Sequence, residues 1–303
     1  MSQIVNYSNP AVFAAITDKT GYVAARKEAQ ALAKKHNLQV ADLPLVISAM
    51  ASNQDLRSAI RPSWIDTISG EYHGKRKDFR SYEVWHSVGT LATADGLEKS
   101  FPNMGDYAFM PISAKEWTAV SKGSFDGKTV ARLHLSDIKK GNVPSAGTPY
   151  SVFVNLDKDK STINPAGQLN YETFMKDDRV LMITGSMPNR EALAKMLFGK
   201  ESEGGENRSS IGSYHRINEV AFDEEARGRL VYLDGGGGGL GGDYGIYYGG
   251  RFVGVSAGGA QTQKVTASPK VRAPTLEQTL AVINNADLNR EGMVGALRQL
   301  YQP

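Results

Sequence analysis

Basic and aromatic side chains alternate in one stretch of the sequence, "YHGKRKDFRSYEVW", residues 72–85. Cations can follow a phosphate backbone while aromatic rings stack on unpaired bases, so this composition is typical of single-stranded nucleic-acid binding. A second stretch, "DYGIYYGGRFVGV", places aromatic residues and an arginine around a Gly-Gly pair suited to a hairpin turn. The candidate nucleic-acid contacts are Lys75, Arg76, Lys77, Arg80, Tyr82, Trp85, Tyr247, Tyr248, Arg251 and Phe252.

The same aromatic residues have a second interpretation that is purely structural. Residues 81–86 alternate in side-chain type as a strand does, with Tyr82 on one face and Trp85 on the other. Aromatic pairs across neighbouring strands stabilise a sheet. Both interpretations therefore stay open for the two stretches.

Ser256 lies in Gly-Val-Ser-Ala-Gly, which fits the G-x-S-x-G pattern of a serine hydrolase. In α/β-hydrolases a helix follows this serine, and the catalytic histidine comes later in the chain. Here a segment rich in Gly, Thr and Pro follows, and the last histidine, His215, precedes Ser256. An order with histidine and aspartate before the serine, through His134 and Asp157, stays open. A serine hydrolase is therefore the second alternative function.

Two glycine-bearing stretches are candidate phosphate sites. The run 235–242 has no following lysine, which excludes a P-loop, and it predicts a loop of no fixed conformation. In "ITGSMPNREAL" we expect a strand over 180–184, a Gly-Ser turn at Gly185 and a helix opening at Pro188 or Asn189. Such a helix N-terminus could bind an anion, and Arg190 would add charge.

Neither metal nor cofactor binding is predicted. None of the five histidines has metal-ligand spacing. The segment 157–168 begins like a calcium loop, but it lacks the glycine at position six and ends on Gln168 rather than glutamate. We therefore assign no metal ligand, no cofactor and no catalytic residue.

Composition places the chain among ordinary globular proteins. It has 303 residues, a formal net charge of +3, 41% hydrophobic and 22% charged residues. The absence of cysteine excludes disulfides and thiolate chemistry and favours a reducing compartment. The N-terminal sequence has no signal-peptide pattern, and no apolar run approaches the length of a membrane span. We expect a cytoplasmic protein without a membrane partner.

The pattern of elements predicts an α+β fold with a mostly antiparallel sheet body. Near the N-terminus we expect a helix over 22–35, a second one capped by Asp42 with Pro44 in its first turn, and a third capped by Ser52 or Asn53. The predicted organisation is a helical N-terminal segment (1–63), an α+β body (64–260), a linker (261–274) and a helical C-terminal tail (275–303).

The preferred functional hypothesis is a non-enzymatic protein that binds single-stranded nucleic acid through its basic and aromatic residues. The first alternative is a structural protein that associates with itself into a particle or filament, for example of a virus. Salt-sensitive oligonucleotide binding would favour the nucleic-acid-binding hypothesis, and a large symmetric oligomer would favour the structural alternative.

Overall fold

The structure, a computed structural model, describes residues 3–6, 12–15, 22–60, 64–145, 147–164, 166–200, 205–214, 225–234, 239–241 and 251–256. The chain divides into two compact units, Met1–Ala260 and Gln261–Pro303. The predicted linker and C-terminal tail lie outside the described residues.

The described residues contain nine α-helices and fifteen strands. The helices are α1 (Tyr22–Lys35), α2 (Leu43–Ser52), α3 (Gln54–Ile60), α4 (Ala94–Ser100), α5 (Ala114–Ser121), α6 (Leu135–Lys139), α7 (Tyr171–Lys176), α8 (Asp178–Thr184) and α9 (Met187–Phe198). The strands are β1 (Gln3–Asn6), β2 (Val12–Ala15), β3 (Leu38–Val40), β4 (Trp64–Lys75), β5 (Arg80–His86), β6 (Met110–Ile112), β7 (Ser124–Phe125), β8 (Lys128–Thr129), β9 (Ala131–His134), β10 (Tyr150–Asn155), β11 (Gly167–Leu169), β12 (Ile211–Tyr214), β13 (Ala226–Asp234), β14 (Gly239–Gly241) and β15 (Arg251–Ser256).

The largest sheet has the order β11-β12-β14-β13-β4-β5-β10-β9, and β6 also pairs with β13. Its pairs are antiparallel except β9 with β10 and β12 with β14. The expected α+β fold with a mostly antiparallel sheet is therefore confirmed. A smaller sheet has the order β1-β2-β15-β3, and β7 pairs with β8.

Local signals fix the first helices as the sequence predicts. Asp42 caps α2 by accepting from the backbone N–H of Leu45 at 3.1 Å, and Asn53 accepts from that of Leu56 at 3.0 Å. The segment before residue 64 also carries β1, β2 and β3, so it is not helical alone. Because β2 and β3 both pair with β15, this segment shares a sheet with the last described strand of the first unit.

Both faces of the large sheet are buried. Every residue from Ser81 to His86 in β5 is buried, with Val84 in one hydrophobic cluster and Trp85 in another. Side chains from α2, α8 and α9 belong to the first cluster, whereas α1, α4 and α5 contribute to the second. Polar residues of the central strands must therefore find partners inside the protein.

Three local expectations differ from the structure. Residues 180–184 belong to the helix α8 instead of a strand, because Asp177 caps it through the Val180 N–H at 3.0 Å and Gly185 ends it at φ 73°. Within the glycine run, Gly239–Gly241 forms β14 between β12 and β13. A Cβ on Gly241 would lie 2.5 Å from the Tyr232 hydroxyl, so this strand requires a glycine there.

Gly74 followed by Lys75 predicts a hairpin turn, but the hairpin between β4 and β5 turns later, at residues 76–79. The Arg76 N–H donates to the Phe79 carbonyl at 2.8 Å and closes this turn. Gly74 is instead a strand residue, and a Cβ on it would lie 2.8 Å from that of Ala226 in the neighbouring β13.

Candidate functional site

The basic and aromatic segment 72–85 forms the β4–β5 hairpin, but its aromatic residues point into the protein. Tyr82 and Trp85 are 2% and 0% exposed. Tyr82 donates its hydroxyl proton to Glu71 at 2.9 Å, and the Trp85 indole donates to Glu83 at 2.9 Å. Stacking on bases needs an open ring face, so these two residues cannot serve as the stacking platform that the sequence suggests.

The Arg76 side chain is also mostly buried, because it forms an ion pair with the buried carboxylate of Glu83. Its Nη2 and Nε donate to Glu83 at 2.6 and 3.0 Å, and its guanidinium lies 3.6 Å from the Trp117 ring centroid. Arg132 donates to both oxygens of the same carboxylate at 3.1 and 3.2 Å. Burial alone would raise the pKa of Glu83, but the charges of Arg132 and Arg76 hold it below its ordinary value.

The exposed cations of this hairpin are Lys75, Lys77 and Arg80, and we call these three residues the basic turn. Arg80 pairs with Asp157, with 2.8 Å between Nε and Oδ1, and its backbone N–H donates to the same carboxylate at 2.7 Å. Trp117 donates to the Lys75 carbonyl at 3.3 Å. The turn is thus held from two sides while its lysines face solvent.

The second candidate patch is only partly described. Phe252 is 1% exposed, in β15, with the Arg26 guanidinium 5.1 Å from its ring centroid, so it offers no surface for a base. Arg251 begins β15 and pairs in register with Ala15. Tyr247 and Tyr248 lie outside the described residues.

Ser256 ends β15, where it pairs in register with Leu38. The residues after it, where a hydrolase would begin its helix, lie outside the described residues. The partners proposed for it are engaged elsewhere: Asp157 holds Arg80, and His134 Nε2 lies 2.8 Å from Asp159. The His134–Asp157 pair that this alternative needs is therefore not formed.

His134 has a serine on its other ring nitrogen, with 2.8 Å between Nδ1 and the Ser136 Oγ. Nδ1 also accepts from the Ser136 N–H at 3.2 Å, and Asp137 accepts from the His134 N–H at 2.9 Å. These bonds form a capping box at the start of α6, so capping that helix accounts for the arrangement.

The turn at Gly185 joins two helices, so the expected strand–turn–helix anion site is not formed. Helix α9 begins at Met187, one residue before the predicted Pro188, with Ser186 as its cap. Arg190 is buried, and its Nη2 lies 2.9 Å from the Met187 sulfur.

A cavity of about 140 Å³ nevertheless opens beside Gly185, between the first turns of α2 and α9 and the loop before β10. Its polar lining comes from Asp42, Ser48, Ser145, Tyr150, Ser186 and Asn189. These residues are scattered over the sequence from 42 to 189, and no spacing among them signals a site.

A hydrogen-bond network next to this cavity determines which nitrogen of His86 carries a proton. Its Nε2 lies 3.0 Å from the Met182 carbonyl, which requires a proton on that nitrogen. The Ser69 hydroxyl, 2.8 Å from Nδ1, then donates to it, since its oxygen already accepts from the Leu43 N–H. Burial lowers the pKa of His86, so the ring is neutral.

No group of three or more His, Asp or Glu residues in the described ranges could hold a metal ion. The start of the calcium-like segment uses its carboxylates internally, since Asp157 binds Arg80 and Asp159 accepts from the Asn155 N–H at 2.6 Å. Among the helices of the described residues, none combines the length and apolar character that crossing a membrane requires.

Comparison with known proteins identifies the fold. No family model matches the chain, and no curated protein matches it. A solved structure described as "Accommodation of massive sequence variation in Nanoarchaeota by the C-type lectin fold" is similar at 17% sequence identity, with a TM-score of 0.54, over 84% of this chain and 98% of that one. At this identity the likeness shows a C-type lectin-like fold and nothing more.

Proposed function

We propose that this chain is a non-enzymatic binding protein that holds single-stranded nucleic acid by its phosphate backbone at the basic turn. The observation that carries the proposal is the way this turn is held. Glu83 and Trp117 fix Arg76 beneath it, and Asp157 fixes Arg80, while Lys75 and Lys77 stay exposed. A turn that is already ordered loses little conformational freedom when it binds.

The binding differs from the one that the sequence suggests, because it is electrostatic and does without the rings of Tyr82 and Trp85. Asp78 is exposed in the same turn and Asp157 is paired with Arg80, so both offset part of the positive charge. We therefore expect weak binding without sequence preference, which salt abolishes.

The fold comparison bears on how much sequence variation such a frame accommodates. The similar structure is described in terms of massive sequence variation accommodated by its fold. In this chain, buried carboxylates such as Glu83 join strands through arginines, so the frame does not depend on the exposed residues of the turn. Such a frame suits a protein whose surface adapts to a partner.

The test is fluorescence anisotropy of a labelled single-stranded oligonucleotide titrated with the full chain at several salt concentrations. Three phosphate contacts predict a slope of log K against log salt of about −2 for a single strand. Replacing Lys75, Lys77 and Arg80 together by alanine should abolish binding. The matched control replaces the exposed Lys34 and Lys35 of α1, which should change affinity little.

Two results would overturn the proposal: no binding at low salt, or equal binding by the triple variant and the wild type. Light scattering after size exclusion, with and without the oligonucleotide, tests the alternative assembly role in the same samples. Labelling by a fluorophosphonate probe that is lost in Ser256→Ala would instead favour the hydrolase alternative.

A further inference from the structure

The cavity beside Gly185 is lined by Tyr150, a residue whose ring is largely buried. Tyr150 is 7% exposed, and its hydroxyl makes no hydrogen bond to any of the described residues. A Cβ on Gly185 would lie 2.1 Å from this oxygen, so the glycine is what leaves room for it. A hydroxyl that reaches the cavity without a partner among the described residues can bond to water or to a ligand there.

The same cavity is lined by a buried carboxylate whose hydrogen-bond partners are neutral. Asp42 is 2% exposed and accepts from the Leu45 N–H at 3.1 Å and from the Ser87 hydroxyl at 2.7 Å. No lysine, arginine or histidine among the described residues lies within ion-pair distance of it. In contrast, Glu71 and Glu83 each pair with two arginines.

The remaining lining groups also favour a ligand that donates hydrogen bonds. Asn189 donates through Nδ2 to the carbonyls of Pro44 at 3.3 Å and Thr184 at 3.1 Å, which leaves its Oδ1 to accept. The cavity lining contains no basic side chain, the helix N-termini are already capped by Asp42 and Ser186, and the Asp42 carboxylate would repel an anion. Burial and the charge of Asp42 raise the pKa of Tyr150, which keeps its hydroxyl protonated at neutral pH.

We propose that this cavity binds a small aliphatic ammonium ion that also carries an oxygen, with the ammonium on Asp42 and the oxygen accepting from the Tyr150 hydroxyl. The ammonium supplies the counter-ion that the buried carboxylate lacks, and charge-assisted hydrogen bonds of this kind are the strong ones. The volume of about 140 Å³ limits the ligand to a few heavy atoms. This site is separate from the basic turn and does not depend on it.

The test uses three probes of nearly equal size with the full chain: ethanolamine as the cation, ethylene glycol as the neutral molecule and glycolate as the anion. Ethanolamine should raise the Tm and shift the amide resonances of Gly185 and Ser186 in a saturable way. Ethylene glycol and glycolate should do neither. Equal effects of all three probes, or none from ethanolamine, would refute the assignment.

Two variants localise the site while keeping the fold. Asp42→Asn removes the charge but keeps a side chain that caps helices equally well, and it should weaken ethanolamine binding about tenfold or more. Tyr150→Phe removes only the hydroxyl and should weaken ethanolamine binding less than Asp42→Asn does. The control is Asp126→Asn, at an exposed carboxylate between β7 and β8. Unchanged affinity in Asp42→Asn, with the fold intact by circular dichroism, would overturn the proposal.

Discussion

Replacing Glu71 by glutamine should be among the most damaging single changes to this protein. Its carboxylate accepts from Arg179 Nε at 2.9 Å, from Arg229 Nε at 2.7 Å and from the Tyr82 hydroxyl at 2.9 Å. Both arginine side chains are 0% exposed. Burial alone would lower the pKa of Arg179, but the charge of Glu71 raises it instead, so this arginine stays charged in the folded state.

Glutamine keeps the shape of Glu71 but leaves two buried guanidinium groups without its charge. Breaking a buried ion pair by removing one partner costs about 3–5 kcal/mol, and with two arginines affected we expect the upper end. A natural domain has a free energy of unfolding of about 5–15 kcal/mol, so this loss is a large part of the total.

Urea unfolding followed by tryptophan fluorescence measures the effect. The control is Glu172→Gln, which breaks the exposed pair with Lys176 and should leave the unfolding midpoint unchanged. Tyr82→Phe removes a single hydrogen bond to Glu71 and should cost about 1 kcal/mol. If Glu71→Gln lies within about 1 kcal/mol of the wild type, the two arginines do not depend on this carboxylate and the reasoning fails.

Three further predictions concern pH and the cavity. Arg132 and Arg76 hold the pKa of Glu83 below 4.5. The ionised carboxylate therefore stabilises the fold above pH 4.5, and this stabilisation is lost as the pH falls below that value. Glu83→Gln should flatten the acid side of a plot of the urea unfolding midpoint against pH. The pKa of His86 is lowered below 6.5, so the unfolded chain binds the proton first and stability should fall as pH drops below 6.5, but not in His86→Gln. Gly185 has φ 73° and lies against the Tyr150 hydroxyl, whereas the control Gly141 has φ 84° and open space around it. Gly185→Ala should therefore lower the free energy of unfolding by about 1 kcal/mol or more beyond Gly141→Ala. Adding Tyr150→Phe to Gly185→Ala should recover part of this difference.

The sequence predicted those elements whose causes lie within a few residues of each other. The helix over 22–35 follows from a run of residues that favour helix, and the caps at Asp42 and Asn53 follow from side chains that bond to nearby backbone groups. The mostly antiparallel sheet follows from strands that are joined by turns. The start of α9 follows from Ser186 and Pro188 for the same reason.

Where the sequence prediction was wrong, a short apolar or glycine-rich segment was decided by what packs around it. Residues 180–184 are all buried, and a buried run of this length has no periodicity to tell a helix from a strand. The strand at Gly239–Gly241 exists because β12 and β13 lie on either side of it. No property of the glycines themselves predicts that pairing.

The fold class, the first helices and the absence of thiol chemistry thus follow from the amino-acid sequence, whereas the role of each charged residue depends on its neighbours in the folded chain. Glu71 pairs with an arginine 108 residues away and another 158 residues away, and composition cannot reveal such partners. The residues that line the cavity are also distant in sequence. Asp42, Tyr150 and Gly185 come together only when three separate segments pack against one another. A basic residue beside an aromatic residue in the sequence suggests a binding surface. Long-range packing determines whether that basic side chain faces solvent or pairs with a buried carboxylate.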